Sequence, residues 1–421
     1  MNSRELADWL NFWRRPRFHP DRVRAYQDKH VGRLVQHAWR NIPYYRRLLD
    51  DAGLRPTDIR SVADLARIPI SRREDLQRVP NQDRIAAGVD AGNCVTFMTS
   101  GSTGEPVRFL RTRAEQYLLF GFRLRAQIMS GVRPLDRRVK LGSAPVRLLP
   151  HRLGLFRISN IDLNLGPAEI LRQLKALRPE VIYGIPNMFE MLLAAPREEL
   201  RTLQPKLILS GAELLSPSLR RGLEDAFHCP VVDFYGCHEV NLIAWQCRQC
   251  GQYHTSDDSA VIEVLRSDGR PAGPGEEGEV IATALHSYAM PLIRIEVGDV
   301  VSRPARAANC DIGFGSIGEI RGRTADFLPL PGGKLFSPYP VTLAVDAAPG
   351  VHRYQIVQEA LDRITVNFIP GAGDAQQAAQ AIVANCRREL PAGVTVEARV
   401  VADIPLTKAG KQRLVRALHS S

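Results

Sequence analysis

The sequence predicts an α/β protein: a large N-terminal domain of βαβ sheets with a small β subdomain, then a small C-terminal α+β domain. Three observations carry this. Short apolar runs alternate with helical stretches between residues 90 and 325, the pattern of parallel strands joined by crossover helices. β-rich segments separated by turn residues occupy 260–295. Beyond residue 325 the order becomes strand, strand, helix, strand. The expected boundaries are therefore 1–325, with a helical lead-in over 1–80, and 326–421.

In chain order, 22–51 places Val31, Leu34, Val35, Ala38, Trp39 and Ile42 at spacings near three and four, an amphipathic helical stripe that Pro43 interrupts. Tyr44 and Tyr45 are read as core. Residues 94–98 form a strand and 114–129 a helix. Buried strands are expected at 181–183, 207–209 and 231–235, separated by helices at 167–178, 187–195 and 216–227. Antiparallel strands follow at 261–265, 278–283 and 292–295, with a turn cluster at 268–275. The C-terminal unit has strands at 354–358, 364–368 and 394–401 and a helix at 374–389.

A chain of 421 residues exceeds one ordinary core. With 44% hydrophobic and 24% charged residues it has the balance of a soluble globular protein. No run of about eighteen apolar residues suggests a membrane span. The first residues have arginines and acids but no apolar signal core, so a cytoplasmic location is expected. The net charge of +11 comes from arginines scattered along the chain. That is a solvated basic surface, which also suits an anionic small substrate; without a basic stripe, nucleic acid is not an expected partner. Seven irregularly spaced cysteines argue for free thiols or a metal site over a disulfide framework.

The most informative segment is Thr99-Ser100-Gly101-Ser102-Thr103-Gly104-Glu105-Pro106, directly after a strand. Its glycines let backbone N–H groups crowd an anion, and its hydroxyls add donors for phosphate oxygens. No Gly-Lys-Ser/Thr follows, so it is not a Walker A loop. An ordinary polar turn shares this composition; the order, ending in Gly-Glu-Pro, is less common.

That string resembles the signature loop of the adenylate-forming superfamily of acyl-CoA synthetases, adenylation domains and luciferases. The chain looks most like its phenylacetate–CoA ligase branch, and the resemblance runs from about residue 20 to the end. It implies an adenylate-forming N-terminal domain and a small mobile C-terminal one. Ser210-Gly211-Ala212-Glu213 is similar to the element that packs against adenine. In Tyr235-Gly236-Cys237-His238-Glu239 the resemblance implies that Tyr235 stacks on adenine and Glu239 ligates Mg²⁺. His238 replaces the usual hydroxyl residue there. The segment 289–294 leads to Gly298-Asp299, where Asp299 is expected to accept the ribose hydroxyls. Arg323 matches the arginine near ribose and phosphate. Thr324-Ala325-Asp326 stands at the hinge, with Ala325 in place of the first of two acids. Pro405-Leu406-Thr407-Lys408-Ala409-Gly410-Lys411 resembles the C-terminal stretch whose lysine serves adenylation; Lys411 would neutralise charge between the attacking carboxylate and the α-phosphate. The catalytic set is therefore Lys411, Glu239 and Arg323.

Cys247, Cys250 and His254 form a C-x-x-C with a histidine four residues on, a spacing that fits one face of tetrahedral Zn²⁺. Cys310 matches a position where some relatives carry Cys-x-Cys-Gly, although the second cysteine is here Ile312. A structural zinc site of Cys247, Cys250, His254 and Cys310 stands beside free cysteines. Tyr183-Gly184-Ile185-Pro186 resembles the border of the acyl pocket, to which Phe234 and His238 would add. The resemblance implies an aromatic or small carboxylic acid, ATP, Mg²⁺ and CoA, with a homodimer compatible. Two rivals stay open: an adenylating enzyme that passes the acyl group to an amine or carrier-protein thiol, and a nucleotide-binding scaffold without turnover.

Overall fold

The computed structural model describes residues 10–98, 107–142, 149–162, 165–371, 373–405 and 413–418. The chain divides into two compact units, 1–131 with 234–320, and 132–233 with 321–421.

The first unit begins with helices Pro20–Asn41 and Pro43–Asp51. Pro43 ends one and opens the next, because its ring blocks the preceding turn yet presets the first helical φ. The expected stripe is buried at Val31, Leu34, Val35, Ala38 and Ile42, with Trp39 only partly buried. Tyr44 and Tyr45 are core residues whose hydroxyls stay satisfied: Tyr44 donates to Ser71 Oγ at 2.9 Å, and Tyr45 accepts the Ile293 N–H at 2.9 Å. Helix Arg113–Met129 opens on a capping box of Thr112 and Glu115. The Glu115 carboxylate also accepts the N–H groups of Tyr288 and Ala289.

Ala260–Leu265, Glu277–Ala284 and Ile295–Ser302 pair antiparallel in this unit, as expected. The third strand departs from the sequence reading. It starts at Ile295, not Leu292, and runs through Gly298 and Asp299. Arg294 is the cause: its φ of 47° breaks the pleat. Its buried guanidinium turns inward onto Glu263, with two bonds of 3.0 Å. Gly298, at φ 82°, gives the strand its second left-handed position. Gly298-Asp299 is thus part of a distorted strand.

In the second unit the strand order is Ile158–Ile161, Arg138–Leu141, Val181–Gly184, Leu207–Gly211, then residues 231–233 of strand Val231–Tyr235. The first three pairings are parallel, with helices Pro167–Leu177, Pro186–Leu193 and Pro217–Phe227 following in chain order. The sequence reading missed Arg138–Leu141 and Ile158–Ile161 because polar residues interrupt them. Arg138 is nonetheless buried, donates to the Phe156 carbonyl at 3.3 Å, and is pushed down to about 10 by that burial. Strands Thr395–Val400, Arg363–Pro370, Val351–Ala360 and Val415–Arg416 form a second sheet in that order. Helix Ala375–Glu389 packs Ala378, Ile382 and Cys386 into its core. The short strand Val415–Arg416 and helix Tyr339–Asp346 were not legible in the pattern.

Candidate functional site

Tyr235 closes strand Val231–Tyr235, and the chain must fold back at once to set the next residues. The Ile243 N–H donates to the Tyr235 carbonyl at 3.0 Å, and the Asn241 N–H to the Cys237 carbonyl at 2.8 Å. Gly236 is obligatory in this loop, because a Cβ there would stand 1.9 Å from the Asn241 carbonyl oxygen. Backbone cannot yield as a flexible side chain would, so Gly236→Ala is expected to destabilise the unit by more than about 2 kcal/mol. Thermal unfolding checks this; an unchanged melting temperature would contradict it.

The loop places three of the expected nucleotide residues together. The Tyr235 hydroxyl donates to Asp299 Oδ2 at 2.8 Å, across 64 positions of sequence. Glu239 lies half-buried on the same loop, and the exposed His238 stacks on Phe97 with ring centroids 6.1 Å apart. Arg111, which sequence reasoning missed, fixes this loop. Its buried guanidinium donates to the carbonyls of His238 and Glu239 and sits 5.0 Å over the Phe97 ring. Burial draws its pKa down, while Cys237 and Glu239 oppose that. The available signal was its place at the end of Arg108–Arg111, the first strand after the glycine–hydroxyl segment.

In the second unit the structure brings the 210–213 and 183–187 segments together. Ser210 is fully buried near the end of Leu207–Gly211, and Ala212 takes φ 72°. That left-handed residue turns Glu213 so that its carboxylate accepts the Asn187 N–H at 3.1 Å. Gly184 leaves room for Phe189, whose ring would lie 2.9 Å from a Cβ at 184. Ile185 and Pro186 then begin helix Pro186–Leu193. Tyr183 is half-buried in its strand. Phe234 is 1% exposed and, with His238, belongs to the first unit. Arg323 is exposed at the end of Ile320–Arg323. The hinge segment Thr324–Asp326 is one 3₁₀ turn whose Asp326 stands 4.0 Å from Arg413. Thr99, Ser100, Gly101, Ser102, Thr103, Gly104 and Lys411 lie outside the described residues.

Cys247, Cys250, His254 and Cys310 converge, with their ligand atoms all within 4.8 Å of one another. His254 Nε2 faces the sulfurs of Cys310 and Cys250 at 3.1 and 3.6 Å. His254 Nδ1 lies 3.3 Å from the Gly315 carbonyl and 3.4 Å from that of Phe314. Only a protonated Nδ1 can satisfy those carbonyls, which leaves the Nε2 lone pair for a metal. The Gln249 N–H points at Cys247 Sγ at 3.4 Å. Burial, with Cys247 and Cys310 adding to it, pushes the Cys250 thiol up to about 12 in the absence of a cation. Three thiols and one imidazole gathered this closely are a donor set that fits a dication.

Among known proteins, the family described as AMP-binding enzyme matches residues 151–285, and the CapK C-terminal domain matches 331–417. Phenylacetate-coenzyme A ligase of Thermus thermophilus is 29% identical over 367 residues, covering 80% of this chain and 78% of its own. Protein CapK of Staphylococcus aureus is 22% identical over 409 residues, covering 92% and 87%. A solved 2-hydroxyisobutyryl-CoA ligase in its postadenylation state superimposes with a TM-score of 0.81 at 21% identity, covering 96% of this chain and 91% of that one. This last likeness concerns the fold. Together, the ordered motifs, the two family matches and the long-range relatives make the chain similar to AMP-binding enzymes, and among them to the phenylacetate-coenzyme A ligases.

Proposed function

We propose that the protein is an ATP-dependent, AMP-forming carboxylic acid–CoA ligase acting on an aromatic or small acid. The acid's carboxylate attacks the α-phosphorus of ATP, the bond to the β-phosphate oxygen breaks, and pyrophosphate leaves. The CoA thiolate then attacks the acyl carbon of the adenylate and releases AMP. The observation that carries this reading is the hydrogen bond from Tyr235 to Asp299 beside the Arg111-held Glu239 loop. It gathers an aromatic face, a ribose acceptor and a carboxylate for Mg²⁺ in one unit of a chain with this family's fold.

Tyr235 supplies the face for adenine, and Asp299 accepts from the ribose while Tyr235 holds its carboxylate. Ser210, Gly211, Ala212 and Glu213 border the purine. Among the described residues no ion pair engages the Glu239 carboxylate, so a hard oxygen ligand is available for Mg²⁺, which would neutralise phosphate charge when bound. Arg323 and Lys411 add positive charge at the phosphates. Tyr183, Gly184, Ile185, Pro186, Phe234 and His238 shape the acyl side. The work of the chain is positioning and charge neutralisation; no covalent enzyme intermediate is needed. Seven cysteines without a disulfide among them suit a reducing cytoplasm.

The test is incubation of acid, ATP and Mg²⁺ with free CoA, followed by mass detection of thioester and AMP. A thioester from at least one acid supports the ligase. Adenylate formation with no gain from CoA would transfer the reading to an amine or carrier-protein acceptor.

Cys247, Cys250, His254 and Cys310 hold a structural zinc in this reading. Metal analysis is expected to give about one zinc per chain, and chelation to lower the melting temperature. Folded, active protein without zinc would remove this assignment.

A further inference from the structure

Helix Pro20–Asn41 carries a second charged feature that the ligase reading leaves unused. A cavity of about 390 Å³ opens along it, entirely within the first unit. Four cations line it, Arg15, Arg22, Lys29 and Arg33, and no carboxylate does. Arg15 is already committed, since its guanidinium meets the buried Asp258 at 2.8 Å. Arg22, Lys29 and Arg33 have no ion-pair partner among the described residues. The acids of the same helix turn elsewhere: Asp28 accepts the Val62 N–H, and Asp21 sits beside His19.

The spacing matters. Positions 22, 29 and 33 fall seven and four residues apart, which puts three like charges on one helix face. Lys29 and Arg33, four apart, repel each other and weaken the helix. An anion bound between them would reverse that cost. The wall is also preformed. Arg22 lies 3.7 Å over the Phe18 ring, and His30 stacks on Tyr26 at 3.9 Å. The His30 Nδ1–H donates to the Tyr26 carbonyl at 2.8 Å, so the ring is held with its other nitrogen available.

We propose that this cavity is an anion site for a phosphate-bearing ligand, bound by Arg22, Lys29 and Arg33 with His30 as a further donor. The inference does not depend on the ligase activity. His30 already registers the local field: burial lowers its pKa, and Arg33, Arg15 and Lys29 lower it further, while the Tyr26 carbonyl opposes them. A bound dianion reverses the sign of that field and lets the ring take a second proton.

The experiment follows the His30 ring by NMR across pH, with the signal assigned by its loss in His30→Gln. The probes are pyrophosphate and adenosine 3′,5′-bisphosphate. Either is expected to raise the His30 midpoint; a response to the first alone identifies a free diphosphate, and to the second alone a phosphorylated nucleotide end. Lys29→Gln with Arg33→Gln should weaken the response by about tenfold per cation removed. Because both residues are exposed, this variant is expected to fold, and its melting curve is recorded alongside. Arg388→Gln, an exposed arginine on helix Ala375–Glu389, should leave the response unchanged. A His30 midpoint that neither probe moves would overturn the site. So would an equal loss in Arg388→Gln, because that is the mark of diffuse surface charge.

Discussion

Replacing Lys411 with alanine is expected to reduce acid-dependent pyrophosphate exchange by at least about 10²-fold while ATP binding and the melting temperature hold. The physical reason lies in where charge develops. As the carboxylate oxygen approaches the α-phosphorus, negative charge on the phosphate oxygens cannot escape into water. An ammonium poised there stabilises that charge in the transition state more than in bound ATP, so its loss falls on kcat more than on KM. Lys408, three positions earlier in the same segment, serves as the internal control. Its alanine variant should retain exchange. Equal losses in the two variants would indicate general electrostatics, and normal exchange in Lys411→Ala would remove the catalytic assignment.

Replacing Asp258 with alanine is expected to destabilise the first unit by about 3–5 kcal/mol. The Asp258 side chain is fully buried between two arginines. Arg125 makes a two-pronged contact of 2.6 and 2.8 Å, and Arg15 adds a third bond of 2.8 Å. Removing the carboxylate leaves the Arg125 guanidinium, 2% exposed, as an uncompensated buried charge. Burial alone would push the Asp258 pKa up, but Arg125 and Arg15 outweigh it and hold the group below its usual range. The sign of the pH dependence follows. The contribution is fully present above the unfolded pKa, about 3.9, and is lost as pH falls through the lower folded value. Neighbouring Asp257 is raised to about 6 by burial and, in smaller part, by the Asp258 charge itself, so both proteins are compared in an Asp257→Asn background that removes its titration. Denaturant unfolding of wild type and Asp258→Ala at neutral and acid pH should show a gap that narrows only on the acid side. A constant gap would contradict this.

Most of the fold could be read from the chain because its strands are short, apolar and bounded by turn residues. Val181–Gly184, Leu207–Gly211 and Val231–Tyr235 all lay where alternation with helices placed them. What escaped depended on contacts across sequence. Arg138 hides a strand because its charge is buried through a carbonyl that only the fold supplies. Arg294 moved a strand boundary by drawing its backbone toward Glu263. The same distinction separates the parts of the candidate site. Tyr235, Glu239, Asp299 and the Cys247–Cys250–His254–Cys310 cluster are singled out by ordered motifs that the sequence alone displays. Arg111 was not, since nothing local shows that it will grip carbonyls 127 and 128 positions away.

The most direct test of the account is exchange of labelled pyrophosphate into ATP across a panel of aromatic and small carboxylic acids, with CoA left out. The account predicts exchange that requires one of those acids and Mg²⁺ and disappears in Lys411→Ala. Folded protein that binds ATP yet shows no acid-dependent exchange with any member of the panel would contradict it.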